Sequence, residues 1–244
     1  MSRYGRRFDY DRRLLPHPLL AQLDAAESDP EMERLKQVVP TTDEERETLA
    51  REYREARNRW AGNATWSMGY PSWNLLYFSM VSSLPRFLPG AVVIETGTNR
   101  GLSTIAMAQA LKDLAIDTPM YTVELEEELA EIAKRNVADA GLSDRVQFHT
   151  GDSLAFLSDL AAQHDRFDFV FLDDAHDREH VQRQVDIVCP KVAAADDGKV
   201  YFDNSGRGGV AEALDYLKER HGGNLVTFMN CSGAPPGNTI WQPA

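Results

Sequence analysis

Val92-Val93-Ile94-Glu95-Thr96-Gly97-Thr98-Asn99-Arg100-Gly101-Leu102-Ser103-Thr104 is the stretch that decides the fold. It opens as an apolar, β-branched run, the composition of a strand buried on both faces. Two glycines follow, and then Ile105-Ala106-Met107-Ala108-Gln109-Ala110-Leu111, a helix-forming run. Strand, glycine turn and helix together make the geometry that seats a nucleotide-like ligand at a helix N-terminus. Gly97 and Gly101 are expected to let the backbone approach that ligand where a Cβ would collide.

The glycines are spaced G-x-x-x-G, so the dinucleotide fingerprint G-x-G-x-x-G is absent. An acid, Glu95, stands just before the turn. It would repel a pyrophosphate and attract a cationic ligand. S-adenosylmethionine (SAM) carries an ammonium and a sulfonium, so the charge logic favours it. The stretch resembles the SAM-binding loop of class I methyltransferases, with its pattern E-x-G-x-x-x-G. An ordinary strand-turn-helix without a ligand is the alternative reading.

Outward from this turn the pattern alternates. Strands are expected at Val92–Glu95, Met120–Glu124, Val146–His149, Asp168–Leu172, Lys199–Asp203 and Asn224–Asn230, with a last one at Thr239–Gln242. Between them, Leu102–Leu114, Leu125–Ala140, Ser153–Gln163, Glu179–Cys189 and Gly209–Arg220 keep apolar residues three or four apart, as helices do. Alternating strands and helices predict an α/β, Rossmann-like, doubly wound and mostly parallel sheet of seven strands. The tail adds an antiparallel C-terminal edge strand, which class I methyltransferases also have. A helix over Asn74–Ser83 precedes the sheet, after an aromatic loop holding Trp66, Met68, Tyr70 and Trp73 that could line a pocket or pack in a core. Residues 1–62 read as a charged helical extension, with Leu19, Leu20 and Leu23 at helical spacing and a helix start at Thr42-Asp43-Glu44-Glu45. It cannot form a core alone and is expected to cap the main domain, 63–244, or to make the contact of a homodimer.

Composition narrows the function. The 244 residues carry a net charge of -12, which disfavours nucleic acid or an anionic membrane as partner. No run is long and apolar enough for a membrane span, and no signal-peptide core precedes the domain. Cys189 and Cys231 make neither a disulfide framework nor a zinc cluster, so a reducing cytoplasm is the expected compartment.

In an open α/β sheet, ligands sit at the carboxyl ends of the strands. The first strand ends in Glu95. The second ends in Glu124, an acid able to accept both ribose hydroxyls of an adenosine. The third runs into Gly151-Asp152-Ser153, placed to bond an adenine amino group or to cap the next helix. The fourth ends in Asp173-Asp174-Ala175-His176 and the fifth in Asp203-Asn204. Asp173, Asp203 and Asn204 are hard oxygen donors of the kind Mg²⁺ or Ca²⁺ takes. Two acids flanking a solvated cleft are the bland alternative. His176 could be a base or a structural histidine.

These strand ends resemble the cation-dependent, catechol-type O-methyltransferases. Those enzymes have an Asp ending strand four, a base three residues later and an Asp-Asn doublet ending strand five. Asp173, His176, Asp203 and Asn204 occupy these positions, with His176 where the catechol enzymes carry Lys. The run from Asp173 through His176 and Glu179 to Val181 is also similar to a D-x-x-H-x-x-E-x-V segment of bacterial sugar and natural-product methyltransferases. The resemblance covers about Trp66 to the C-terminus. It implies SAM and a divalent cation, Mg²⁺ first, as cofactors, and a small-molecule hydroxyl as acceptor. It implies cofactor contacts from Met68, Glu95, Gly97, Thr98, Gly101, Ser103, Glu124, Gly151, Asp152, Ser153 and Asp173. Asp173, Asp203 and Asn204 would hold the metal, and His176 with Asp173 would handle the proton. Asp174 is an extra acid that could compete as a ligand. A metal-free methyltransferase with His176 as sole base, a nucleotide-dependent oxidoreductase and a non-catalytic SAM-binding module remain as rivals.

Overall fold

The structure, a computed structural model, describes residues 72–85, 87–228 and 237–244, and before them 34, 38, 41, 42, 44–49, 51 and 52. Most of the N-terminal extension, Met68 and the aromatic loop at 66–71 therefore lie outside the described residues. The helix start at Thr42 is within them. Glu45 N donates to Thr42 Oγ1, and Glu45 Oε2 accepts from Thr41 N at 2.7 Å and Thr42 N at 3.2 Å, a capping box.

Helix α1 (Ser72–Ser83) leads into strand β1 (Val93–Thr96) and helix α2 (Leu102–Asp113). Then follow β2 (Met120–Glu124), α3 (Glu127–Asp139), β3 (Val146–Thr150), α4 (Ser153–Gln163), β4 (Phe169–Leu172) and α5 (Arg178–Val192). The chain closes with β5 (Lys199–Phe202), α6 (Gly208–His221), β6 (Asn224–Phe228) and β7 (Asn238–Gln242). The sheet order is β3-β2-β1-β4-β5-β7-β6. Strands β1 to β5 pair in parallel. The antiparallel strand is β7, inserted between β5 and the outermost strand β6. The expected architecture is the one observed, and the antiparallel element lies one place in from the edge.

Side chains alternate between the two faces of the sheet. Phe169, Phe171 and Tyr201 join Met107 and Leu111 of α2 and Leu76 and Met80 of α1 in one core. Val170, Leu172 and Phe202 join Phe156 of α4, Val185 of α5 and Leu217 of α6 in the other. Because helices cover both faces, β1 and β4 are buried at every position, which is why β4 reads as an unbroken apolar run and β1 as one up to its terminal Glu95 and Thr96. The order reverses at β1 and β4, which exit to opposite sides, so their carboxyl ends open a crevice. Among the described residues no helix is long and apolar enough to cross a membrane.

Candidate active site

The glycine turn closes on the protein itself. Gly97 has φ 82°, and a Cβ there would collide with the Asp173 carbonyl. Gly101, the N-cap of α2 at φ 84°, has Ala133 of α3 only 3.2 Å from a notional Cβ. The glycines are thus required first by the passage of α3 and the β4 loop, and not solely by a ligand's approach. The Thr98 side chain also turns inward, its Oγ1 lying 2.5 Å from Thr122 Oγ1.

Glu95 is fully buried. Its Oε2 accepts from Thr104 Oγ1 at 2.5 Å and Thr122 Oγ1 at 2.7 Å, which ties α2 and β2 to β1. Its Oε1 has no hydrogen bond. Burial pushes the carboxyl up to about 7, against the hydroxyls of Ser103, Thr104 and Thr122. An unpaired, buried carboxylate oxygen is costly unless a donor reaches it, so Oε1 is an acceptor that a ligand cation could meet. The raised acid binds a proton in the fold that the unfolded chain has released, so the free protein loses stability as pH rises from about 4.5 to 7. A ligand ammonium would favour the ionised form. Affinity for S-adenosylhomocysteine, the product of the expected cofactor, should therefore climb as pH rises toward about 7 and level off above it, and Glu95→Gln should flatten that climb. Titration calorimetry across pH reads this directly, and a pH-independent parent affinity would remove Glu95 from the ammonium site.

Glu124 sits at the end of β2 with its carboxylate fixed by two backbone donors, Asn99 N at 2.7 Å and Glu126 N at 3.1 Å. Asn99 takes φ 48° to present its N–H, and asparagine tolerates that conformation better than most side chains do. Each carboxylate oxygen keeps acceptor capacity for a hydroxyl. Leu125, next along and expected to open the apolar face of the following helix, instead precedes α3 and is 72% exposed, and sequence reasoning did not place it at the site. A large apolar side chain at a strand's carboxyl end, near the Gly151 turn that bonds Glu124 O, is the sign that could have found it. Asp152 caps α4, accepting from Ala155 N at 2.8 Å, and stays exposed.

Ser153 and Asp174 face each other under the crevice. Asp174 Oδ1 accepts from Gln184 Nε2 at 2.8 Å and Thr96 Oγ1 at 2.9 Å. Its Oδ2 accepts from Ser153 Oγ and lies 3.0 Å from His180 Nε2. Burial opposes ionisation, but the bonds from His180, Ser153 and Gln184 override it and hold the carboxyl far below the usual range. Asp174 is therefore no rival metal ligand, because both its oxygens are already used inside the protein. Ser153, expected at the cofactor, likewise spends its hydroxyl on Asp174.

Asp173 points the other way. The parallel register Leu172↔Phe202, carried one residue on, sets Asp173 beside Asp203. The antiparallel register Phe202↔Thr239, carried on likewise, sets Asn238 beside Asp203, and Asn238 Nδ2 donates to Asp203 Oδ1. Asn204 Nδ2 reaches both acids, at 2.8 Å to Asp203 Oδ2 and 3.3 Å to Asp173 Oδ1. Burial raises the proton affinity of Asp173, and the charge of Asp203 raises it further. Asp203 is also raised by burial, against bonds from Asn204 and Asn238. Two half-buried acids crowding one point, with carboxamides at hand, suit a hard cation, which would remove the repulsion that now favours a shared proton. Turning the Asn204 amide would present its oxygen instead of its nitrogen.

His176 completes the cluster, with Nε2 3.9 Å from Asp173 Oδ1 and no hydrogen bond. Its loop is held by α6, since a Cβ on Gly209 would collide with the His176 carbonyl. Burial lowers its pKa most, the Arg207 cation adds to this, and Asp174 opposes both. Burial and Arg207, whose backbone N–H closes a turn onto Asn204 O at 2.8 Å, outweigh Asp174. The imidazole is thereby kept neutral near neutrality.

Residues 94–205 match a family model described as a methyltransferase domain. The O-methyltransferase imqG of Aspergillus flavus is 29% identical over 132 residues, covering 51% of this chain and 49% of that one. A catechol O-methyltransferase of Niastella koreensis is 35% identical over 82 residues, covering 33% of this chain and 36% of its own. The chain thus spans about half or less of the curated relatives it matches. The structure of an O-methyltransferase from Bacillus cereus in complex with SAH superposes with a TM-score of 0.61 at 19% identity, over 87% of this chain and 96% of that one. That likeness is one of fold. The resemblance to class I SAM-dependent methyltransferases is borne out.

Proposed function

We propose that the chain is a SAM-dependent O-methyltransferase that uses a divalent cation, Mg²⁺ first, on a small acceptor with neighbouring oxygens, such as a catechol-like phenol or a vicinal sugar diol. The observation that carries this reading is the Asp173–Asp203 pair, two half-buried acids with raised proton affinity, at the strand ends next to the Gly97–Gly101 turn. The matches to O-methyltransferases support it.

Bound SAM would supply a sulfonium methyl, which leaves a neutral thioether when it is displaced in line. A cation held by Asp173, Asp203 and Asn204 would supply Lewis acidity that lowers the pKa of the acceptor hydroxyl. The protein's own groups do the rest. Glu124 accepts from the ribose hydroxyls, Leu125 offers an apolar face to the adenine, and Glu95 Oε1 accepts from the ammonium. His176, neutral at Nε2, takes the hydroxyl proton. The rigid β1 and β4 turns fix the approach of the two reacting atoms. The N-terminal extension is proposed as a cap or dimer contact.

A second reading keeps the methyl transfer without the cation, with His176 as sole base. It is favoured by the unpaired Nε2. Transfer of labelled methyl from SAM to a panel of catechols and sugar diols separates the two. Transfer that stops in EDTA and returns with Mg²⁺ is expected. Transfer indifferent to EDTA would leave His176 alone.

A further inference from the structure

The proposed reaction uses Asp173 and His176 and leaves their neighbour Asp174 without a role. We infer that Asp174, clamped by Thr96, Ser153, His180 and Gln184, is the positioning residue that aims Asp173 into the cation site. The inference rests on the proposed function and goes beyond it.

Four donors on three other elements converge on one carboxylate: Thr96 from β1, Ser153 from α4, and His180 and Gln184 from α5. His180 and Gln184 are four residues apart, on one face of α5. That helix is fixed at its start by Asp177, which accepts from His180 N at 2.9 Å. Successive side chains leave a strand end in opposite directions. Anchoring Asp174 downward against α4 and α5 therefore obliges Asp173 to point up, toward Asp203. The backbone between them has little slack, because Asp173 N donates to Thr96 O at 3.1 Å and Gly97 packs on the Asp173 carbonyl. Thr96 is bonded at both its carbonyl and its hydroxyl. The turn that seats the cofactor and the loop that offers the metal ligand are thus pinned by the same residue pair. A polar cluster serving stability alone could sit anywhere beneath the sheet, whereas this one sits one residue from the proposed ligand.

Asp174→Asn and His180→Ala test this in the full chain, at a temperature well below each variant's thermal midpoint. His180→Gln is the conservative companion, since it keeps a donor toward Asp174. Mg²⁺ affinity is read by calorimetry on the cofactor-free protein, and kcat and the KM for SAM are read separately. Loosening the anchor should weaken Mg²⁺ binding about 10–100-fold and lower kcat by a similar factor, with the KM for SAM moving only a few-fold. His180→Gln should restore most of both. A role in stability alone would lower the midpoint and leave Mg²⁺ affinity and kcat at parental values, and that result would overturn the inference. If Asp174→Asn does not fold, His180→Ala against His180→Gln decides by the same readouts. A parent chain that shows no Mg²⁺ binding would fail the proposed function itself, which distinguishes the two failures.

Discussion

Asp203→Asn should remove turnover while leaving the fold at least as stable as the parent. Asp203 and Asp173 are half-buried neighbours, and the charge of Asp203 raises the proton affinity of Asp173, so the pair works against the folded state. An amide at 203 has nearly the same shape, removes one charge, and can still accept from Asn238. The Asn204 amide can turn to meet it. The thermal midpoint should therefore hold or rise. The proposed cation site, however, would lose one of its two charged donors. With it goes the group that stabilises charge developing on the acceptor oxygen, so kcat should fall by at least about 10²–10³-fold. Affinity for S-adenosylhomocysteine should stay within a few-fold, because the proposed ribose and ammonium partners, Glu124 and Glu95, lie on β2 and β1. Parental rates in Mg²⁺ would exclude the cation from the account. A collapsed midpoint would show that Asp203 stabilises the fold.

The second large effect belongs to His176. Its pKa is lowered by burial and by Arg207, so the neutral base exists at and below neutral pH. The rate should rise with pH along a single ionisation inflecting below about 6.5, the value of an unperturbed histidine, and then level off. His176→Ala should lower kcat by about 10²-fold or more and erase that inflection, with little change in cofactor affinity. Arg207→Ala should move the inflection upward, because one of the two influences holding it down is gone. If the loss in His176→Ala is only a few-fold and the pH profile survives, the proton leaves by another route.

Much of this site was legible in the chain because the relevant signals are local. The β-branched run at Val92–Ile94 and the two glycines after it define strand, turn and helix within thirteen residues. The carboxyl-end rule then points to Glu124, Asp173 and Asp203. What stayed hidden depends on pairings across the sheet. Asn238 is a turn-region asparagine in sequence and meets Asp203 only through the β5–β7 register. Arg207 affects His176 because α6 packs its first turn on the His176 loop. The inward clamp on Asp174 needs α5 to return His180 and Gln184 beneath β4, although strand alternation after Phe169 already assigns Asp173 and Asp174 to opposite faces. Gly97 shows a different gap. Its position was legible, while the Asp173 carbonyl that excludes a side chain there comes from 76 residues further along the chain.

Calorimetric titration of S-adenosylhomocysteine into the full chain and into Glu124→Ala tests the central claim most directly, since it needs no knowledge of the acceptor. Saturable one-to-one binding to the parent is expected. Removing a charged acceptor from the ribose hydroxyls should cost about 1.5–3 kcal/mol, roughly 10- to 150-fold in affinity. No saturable binding to the parent, or an affinity unchanged by Glu124→Ala, would contradict it.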